Sequence, residues 1–522
     1  MKRVPTTFLP LIALDLDSRG RLPLYRQLYD WFRTAVTEGQ MRPGQRLPST
    51  RGLAAELKVS RIPVANAYDQ LVAEGYLETF PGAGTRVARS IPNDTLLNHP
   101  ISSPAAKPIN KTPQLIGKKS ARRVSHRGIA LTQLPAQSWL NIVGAFRTSL
   151  PALDHFPLGV WSKLVARHAR KPAKGVMGYA DAMGYLPLRE AIAEYLRTVR
   201  GVRCEARQIL VTTGSQQGLL LSAQVLLDPG DRVCMEEPGY PSARQAFLAA
   251  GAQVIPIPVD HEGMNVARLA SAGRGARAVY VTPSHQYPLG MVMSATRRML
   301  LLQWAARTGA WIIEDDYDSE YRFGSRPIAA LQGLDTGSTV IYIGTFSKVM
   351  FPALRVGYIV VPADLVPAFA AARDAADVFS STLYQVVLTD FIREGHFARH
   401  IRRMRMLYME RRAALVTAIH EQMGDSLQVV GSEAGMHLVA LLPRGTDDVA
   451  VSRRAAQLGI SAAPLSTCYA KPLPREGIET VPVSGTHRRR GSQRRGGLIL
   501  GYAGVSPREI SDGISKLLMS LG

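Results

Sequence analysis

Seven short apolar runs between residues 208 and 362 constrain the fold more than any other feature of the chain. They are QILVTTG, RVCMEEP, AQVIPIPV, RAVYVTP, AWIIEDD, TVIYIGT and GYIVVP, and stretches of helical spacing separate them. Strands alternating with helices define the α/β class, with a mostly parallel central sheet. Several runs end directly in polar or glycine-containing motifs. In open α/β sheets ligands bind at the carboxyl ends of the strands, so chemistry is to be sought in those motifs.

Lys348 follows TVIYIGT in the stretch GTFSKVMFPALRVGY. A lysine so placed can condense with an aldehyde to form a Schiff base, provided its surroundings lower its pKa. Thr345, Ser347 and Arg355 lie close enough in sequence to bind one phosphate dianion, the hydroxyls by donation and the guanidinium by a charge-assisted fork. A cofactor with both an aldehyde and a phosphate fits, and pyridoxal 5'-phosphate is the obvious one. TTGSQQG presents Gly214, Ser215 and Gln216 at a strand-to-helix junction, where free N–H groups and the helix dipole favour a phosphate. In EDDYDSE, Asp315 can keep a pyridine nitrogen protonated and the ring an electron sink. Tyr317, two residues on and on the same side of an extended chain, can hydrogen-bond the ring's phenolic oxygen. Tyr240 in EEPGY can cover the ring with its aromatic face. Each residue taken alone is more often structural; their order along the chain carries the reading.

The first part has a different pattern. Leu24, Leu28, Trp31, Phe32 and Val36 recur at helical spacing up to about Gly39. A second helix begins after LPST, where Ser49 or Thr50 can cap it, and a turn around Lys58 to Ser60 leads into a third carrying Val64, Ala67, Tyr68 and Leu71. This is the helix-turn-helix arrangement. Leu77 to Phe80 and Thr85 to Ala88 read as two short strands joined by PGAG, the wing. The second helix of such a motif enters the major groove N-terminus first, which puts Ser60 and Arg61 at the DNA surface with Asn66 farther along. Arg51 and Arg86 are expected on phosphates. Pro63 falls at the third helical position if Ser60 is the cap, leaving the N–H of the second position to take the capping bond.

Residues 89–127 are rich in Pro, Ser, Asn and basic residues without periodicity, and read as a basic flexible linker whose KKSARR portion either touches DNA backbone or merely solubilises. The expected domains are 1–88, the linker 89–127, and 128–522 with a smaller C-terminal α/β subdomain from about 395. SGTHRRRGSQRRGG, residues 484–497, reads as a basic surface loop. The net charge of +22 favours a polyanionic partner, either nucleic acid or an anionic membrane face. Cys204, Cys234 and Cys468 are too sparse for a disulfide framework or a thiolate zinc site, and no metal site is expected. The early run TTFLPLIALDLD is short, broken by Pro10 and closed by acids, so neither signal peptide nor membrane span is supported and a cytoplasmic location is expected.

These motifs resemble the MocR subfamily of GntR-type regulators, in which a winged helix-turn-helix is joined by a long linker to a domain with the fold of type I aminotransferases. LPSTRGLA, VSRIPVANAYDQL and GAGTRV carry the resemblance in the first part. GYADAMGYLPLREAIAEYL, TTGSQQG, LLDPGD, EEPGYP, VTPSHQYPLG, IIEDDYDSEYRF, GTFSKVMFPALRVGY and GHFARHIRRMR carry it in the second. The resemblance implies that Lys348 is the Schiff-base lysine, Asp315 the pyridine-nitrogen partner, Tyr317 the phenolic-oxygen partner and Tyr240 the stacking ring. It implies a phosphate cup of Ser215, Gln216, Ser347 and Arg355, with His285 near the ring. It also implies that Tyr179 reaches the phosphate from a neighbouring subunit, hence a homodimer. Double-stranded DNA is the implied partner, and pyridoxal phosphate or a small amine or amino acid the implied effector, in vitamin B6 or amine metabolism.

The chain departs from the family at Pro63, where recognition helices commonly carry a threonine, and in the loop holding Arg494 and Arg495, candidates for the arginine that binds a substrate carboxylate in related proteins. The competing reading is a pyridoxal phosphate-dependent aminotransferase with an accessory DNA-binding domain, because exchange of a lysine aldimine with an amine begins both sensing and catalysis. A DNA-packaging protein fits the charge but leaves the cofactor constellation without a purpose.

Overall fold

The computed structural model of the chain describes Leu16 and residues 22–80, 84–89, 124–132, 144–172, 175–323, 329–471 and 495–521. Most of the linker, most of the PGAG turn and most of the basic stretch 484–497 lie outside these residues. The chain divides into two units, Met1–Ser120 and Ala121–Gly522.

In the first unit α1 (Leu24–Thr37), α2 (Thr50–Glu56) and α3 (Arg61–Ala73) precede the antiparallel pair β1 (Leu77–Phe80) and β2 (Gly84–Val87). Leu28, Phe32 and Val36 meet Leu53, Val64, Ala67 and Leu71 in one core, where the Phe32 and Tyr68 rings pack edge to face at 5.4 Å. Trp31 only borders that core, and Tyr29 joins it instead. Ser49 caps α2, its Oγ accepting from Gly52 N–H at 3.1 Å. Ser60 stands at the cap position of α3, yet its side chain accepts no capping bond. Pro63 removes the donor at the third position, and the exposed hydroxyl of Ser60 does not take the bond expected from the second. The wing strand starts one residue earlier than the periodicity suggests, because Gly84 pairs with Phe80. The strand is also held on its other side: Gly44 N–H donates to the Val87 carbonyl and Leu47 N–H to the Thr85 carbonyl, each at 2.9 Å.

In the second unit an eight-stranded sheet has the order β3 (Ile209–Thr212), β10 (Gly357–Val360), β9 (Val340–Thr345), β8 (Trp311–Asp316), β7 (Ala276–Val281), β4 (Arg232–Glu237), β5 (Gln253–Asp260) and β6 (Gly263–Met264). The seven apolar runs form all of it except β6. Strands β9, β8, β7, β4 and β5 run parallel to one another, whereas β10 runs against both β9 and β3, and β6 against β5. That reversal positions the site. Gly357 at the start of β10 pairs with Thr345 and Thr212 at the ends of the flanking strands, so residues entering β10 share one sheet edge with residues leaving β3 and β9.

A smaller antiparallel sheet, in the order β11 (Gln428–Val430), β12 (His437–Leu441), β14 (Gly497–Gly501), β13 (Ala463–Pro464), packs with the helices His396–Met423 and Pro507–Leu521. Residues 144–150, outside the expected span of this subdomain, are stitched into it. Ala145 bridges Ile460, Gly501 N–H donates to the Phe146 carbonyl at 2.9 Å, and the buried Phe146 ring lies against Gly513. Upstream, the short helix His126–Thr132 touches the helix Pro241–Ala249 of the larger sheet domain, Arg127 Nε donating to the Ala249 carbonyl at 3.1 Å.

Candidate functional site

Gly214, at φ 78°, turns the chain from β3 into the helix Ser215–Leu226, whose first N–H groups, those of Ser215 and Gln216 included, have no intrahelical acceptor. Arg355, held at φ 51° just before β10, donates through Nη2 to the Thr213 carbonyl at 2.8 Å. Its guanidinium covers Gly214 so closely that a Cβ there would lie 2.9 Å from Nη2, so a side chain at 214 would fill the cradle. Ser347 Oγ is buried without a hydrogen-bond partner, an arrangement that typically costs ~1–3 kcal/mol until a ligand satisfies it. Thr345 Oγ1 accepts from Ser347 N–H at 3.2 Å and so shapes the turn, which leaves its own O–H to donate. The Gln216 side-chain amide donates to the Ser242 carbonyl at 3.2 Å, which leaves its backbone N–H as the group that can face an anion.

Alternation along β8 sorts its acids. Glu314 accepts from the N–H groups of Leu331 and Gln332, and Asp316 binds Arg200 and Tyr342, while Asp315 and Tyr317 belong to the opposite face. Asp315 Oδ2 accepts from the Tyr280 hydroxyl at 2.8 Å; Oδ1 is buried and unpartnered. Burial pushes the Asp315 carboxyl up to about 7, against the pull of the Tyr280 bond. A protonated pyridine nitrogen would satisfy Oδ1 and restore the carboxylate.

Lys348 sits in the turn after β9, where burial brings its ammonium down to about 8, opposed by the charges of Asp318 and Asp315. An amine free near neutrality is what condensation with an aldehyde needs. Capture of the aldehyde is therefore expected to quicken about tenfold per pH unit and to level off above about 8. Stopped-flow absorbance across that range measures it, and a flat profile would contradict the lysine's role.

The Tyr240 ring is half-buried beside Tyr287, edge to face at 5.2 Å, in an aromatic wall shared with Tyr317. Tyr317 and His285, read separately from the sequence, are joined: the Tyr317 hydroxyl lies 3.0 Å from His285 Nδ1, and the same nitrogen faces both oxygens of Asp318 at 3.1 Å. Asp318 went unread, as did His437 on β12, whose Nε2 donates to the Pro288 carbonyl at 3.0 Å with its ring 5.1 Å from that of His285. A histidine inside the apolar run MHLVALL is the one signal that marks the second of these. Ligand-type atoms of His285, Asp318 and His437 lie within 4.8 Å of one another.

Tyr179 is 93% exposed on the single chain, its ring 6.1 Å from Phe379. Arg494 lies outside the described residues. Arg495 is committed elsewhere, donating to the Leu442 carbonyl at 2.6 Å and to Gln428 Oε1 at 2.9 Å, where it ties the edge of the smaller sheet.

On the first unit Arg51, Ser60, Arg61 and Asn66 are all exposed. Arg61 Nε donates to Thr50 Oγ1 at 3.2 Å, bridging the starts of α2 and α3. Arg86 on the wing is less exposed than these four. It is half-buried, and its Nη1 donates to the Gly44 carbonyl at 3.3 Å, which fastens the wing to the connection before α2.

Residues 24–87 match the family of bacterial regulatory proteins of the gntR family, and residues 153–475 match aminotransferase class I and II. Fold and site together define a winged DNA-binding head joined to an aminotransferase-like body. The chain belongs to the MocR subfamily of GntR-type transcription regulators. It is 39% identical to the probable rhizopine catabolism regulatory protein MocR of Rhizobium meliloti over 504 residues, 97% of this chain and 95% of that one. It is 32% identical to the HTH-type pyridoxine biosynthesis transcriptional regulator PdxR of Corynebacterium glutamicum over 453 residues, 86% of this chain and 90% of that one. Among solved structures, the α-aminoadipate aminotransferase LysN of Thermus thermophilus, complexed with N-(5'-phosphopyridoxyl)-L-leucine, superposes with a TM-score of 0.67 at 28% identity, covering 76% of this chain and 96% of LysN. Among the described residues no helix is long and apolar enough to cross a membrane.

Proposed function

We propose that this regulator uses pyridoxal phosphate on Lys348 as its sensor and changes its DNA binding when the cofactor, or a small amine or amino acid, alters that linkage. The observation that carries the reading is the pairing of two buried, unpartnered acceptor or donor atoms, Asp315 Oδ1 and Ser347 Oγ, with the Gly214 cradle and Lys348 at one sheet edge. Pyridoxal phosphate supplies an electrophilic aldehyde carbon and an electron-withdrawing pyridinium ring. Lys348 Nζ is the nucleophile, Asp315 holds the ring nitrogen's proton, and Tyr317 holds the phenolic oxygen. Arg355, Ser347 and the N–H groups of Ser215 and Gln216 hold the phosphate, while Tyr240 covers the ring. The exposure of Tyr179 supports its reaching the phosphate of a second copy, so that a homodimer sets two winged heads on repeated half-sites in cytoplasmic DNA.

Sensing needs only a difference in ligand affinity between two states of the protein, whereas an efficient transaminase also needs proton transfers after the exchange. Gel-shift and footprinting on the DNA upstream of the protein's own gene distinguish the two. Salt-resistant, sequence-selective binding by cofactor-loaded protein is expected; its absence, with turnover of amino donors at ordinary enzyme rates, would make the protein an aminotransferase. Arg61→Ala is expected to lose roughly 1–3 kcal/mol of specific binding by reading a base edge. An equal loss on random DNA would make Arg61 a phosphate contact.

A further inference from the structure

Asp318 has no role so far, yet it faces the most enclosed polar contact of the site. His285 is 2% exposed, and its Nδ1 lies 3.1 Å from each Asp318 oxygen and 3.0 Å from Tyr317 Oη. An ionised carboxylate only accepts, so this contact is a hydrogen bond when the proton sits on Nδ1. His285 Nε2, buried and without a partner, then has no proton to place. With Nδ1–H donating, Tyr317 cannot donate to that nitrogen. Its own O–H proton is left for a different acceptor.

The surroundings hold this assignment in place. Gly435, at φ 79°, approaches so closely that a Cβ would stand 2.1 Å from His285 Cε1 and 2.6 Å from Asp318 Oδ2. His437 adds no competing charge, because burial brings its imidazole down to about 4. The charged and titratable groups facing the Tyr317 hydroxyl and its neighbours are Asp315 and Asp318 at the end of β8, Glu236 from β4, and Tyr287 after β7. Lys348 and Arg355 join them after β9, with His437 from β12 and Tyr502 after β14. Burial keeps the Tyr317 hydroxyl protonated through the neutral range.

We infer that Asp318 and His285 are positioning residues: they fix the imidazole tautomer that makes Tyr317 an obligate hydrogen-bond donor to the cofactor's phenolic oxygen. This rests on the cofactor reading above. The test is a pH titration of the visible absorption of cofactor-loaded wild type, Asp318→Ala, Tyr317→Phe and the double variant. Loss of the donor destabilises the anionic phenolic oxygen and raises the midpoint, whereas loss of the Asp318 charge beside Lys348 lowers it. Asp318→Ala and Tyr317→Phe are each expected to raise the midpoint by about one unit, and the double variant no further than Tyr317→Phe alone. A midpoint that falls in Asp318→Ala, or two shifts that add, overturns the inference. Wild type without visible absorption would instead remove the cofactor reading. A second measurement needs no cofactor: ring-nitrogen NMR of the cofactor-free protein, with the His285 signals identified by their absence in His285→Asn. An Nδ1–H tautomer is expected, and an Nε2–H tautomer overturns the inference.

Discussion

Replacing Lys348 by alanine is expected to abolish the visible absorption of the cofactor-loaded protein, leaving its fold and basal DNA affinity largely intact. The loss is total because the covalent attachment has one amine. The fold survives because Lys348 is half-buried and not itself a member of the hydrophobic core, which the neighbouring Phe346, Val349 and Met350 supply. DNA affinity survives because the winged unit has its own hydrophobic core, from Leu28 to Val87. The measurements are absorbance after removal of free cofactor, circular dichroism, and gel shift at matched salt. Absorption that persists in the variant would refute the lysine assignment, and collapse of DNA binding with an intact fold would show that the two halves do not act separately.

The other large effect is expected at Gly435. Alanine there places a methyl 2.1 Å from His285 Cε1 at a backbone φ of 79°, and the backbone cannot retreat. Gly435 N–H donates to the Tyr321 carbonyl at 2.7 Å, and the Tyr502 hydroxyl donates to the Gly435 carbonyl at 2.8 Å. Backbone strain and overpacking together are expected to destabilise the second unit by roughly 2–4 kcal/mol. Gly459→Ala is the control: its φ is 77°, but a Cβ there meets nothing within 4 Å, so only backbone strain of about 1 kcal/mol applies. Denaturant melts of both variants separate clash from strain, and equal losses would disprove the close approach to His285.

The strands, and the turns that bring Gly214, Ser347 and Arg355 to one sheet edge, were legible because each rests on local signals. A buried run such as TVIYIGT announces a strand, and a glycine, a serine or an arginine just beyond its end announces a ligand-binding turn. Distance from local signals explains what was missed. Period-two reasoning serves Asp315 and Tyr317, but β8 ends at Asp316, and the turn beyond it brings Asp318 back beside His285, where alternation no longer applies. Gly435 and His437 arrive from the smaller subdomain, and nothing within a window of sequence joins them to residue 285. Arg86 looked like any wing arginine; the carbonyl that it binds lies 42 residues earlier. Residues 144–150 are a run of turns with Phe146 and Ser149 at positive φ, which has no period to read.

That segment also limits how the chain can be divided. The helix His126–Thr132 rests on the larger sheet domain, and the chain next engages the smaller subdomain at residues 144–150. The smaller subdomain is thus not separable as a C-terminal piece, because a fragment beginning near residue 395 would lose Ala145 and the buried Phe146 ring that lies against Gly513.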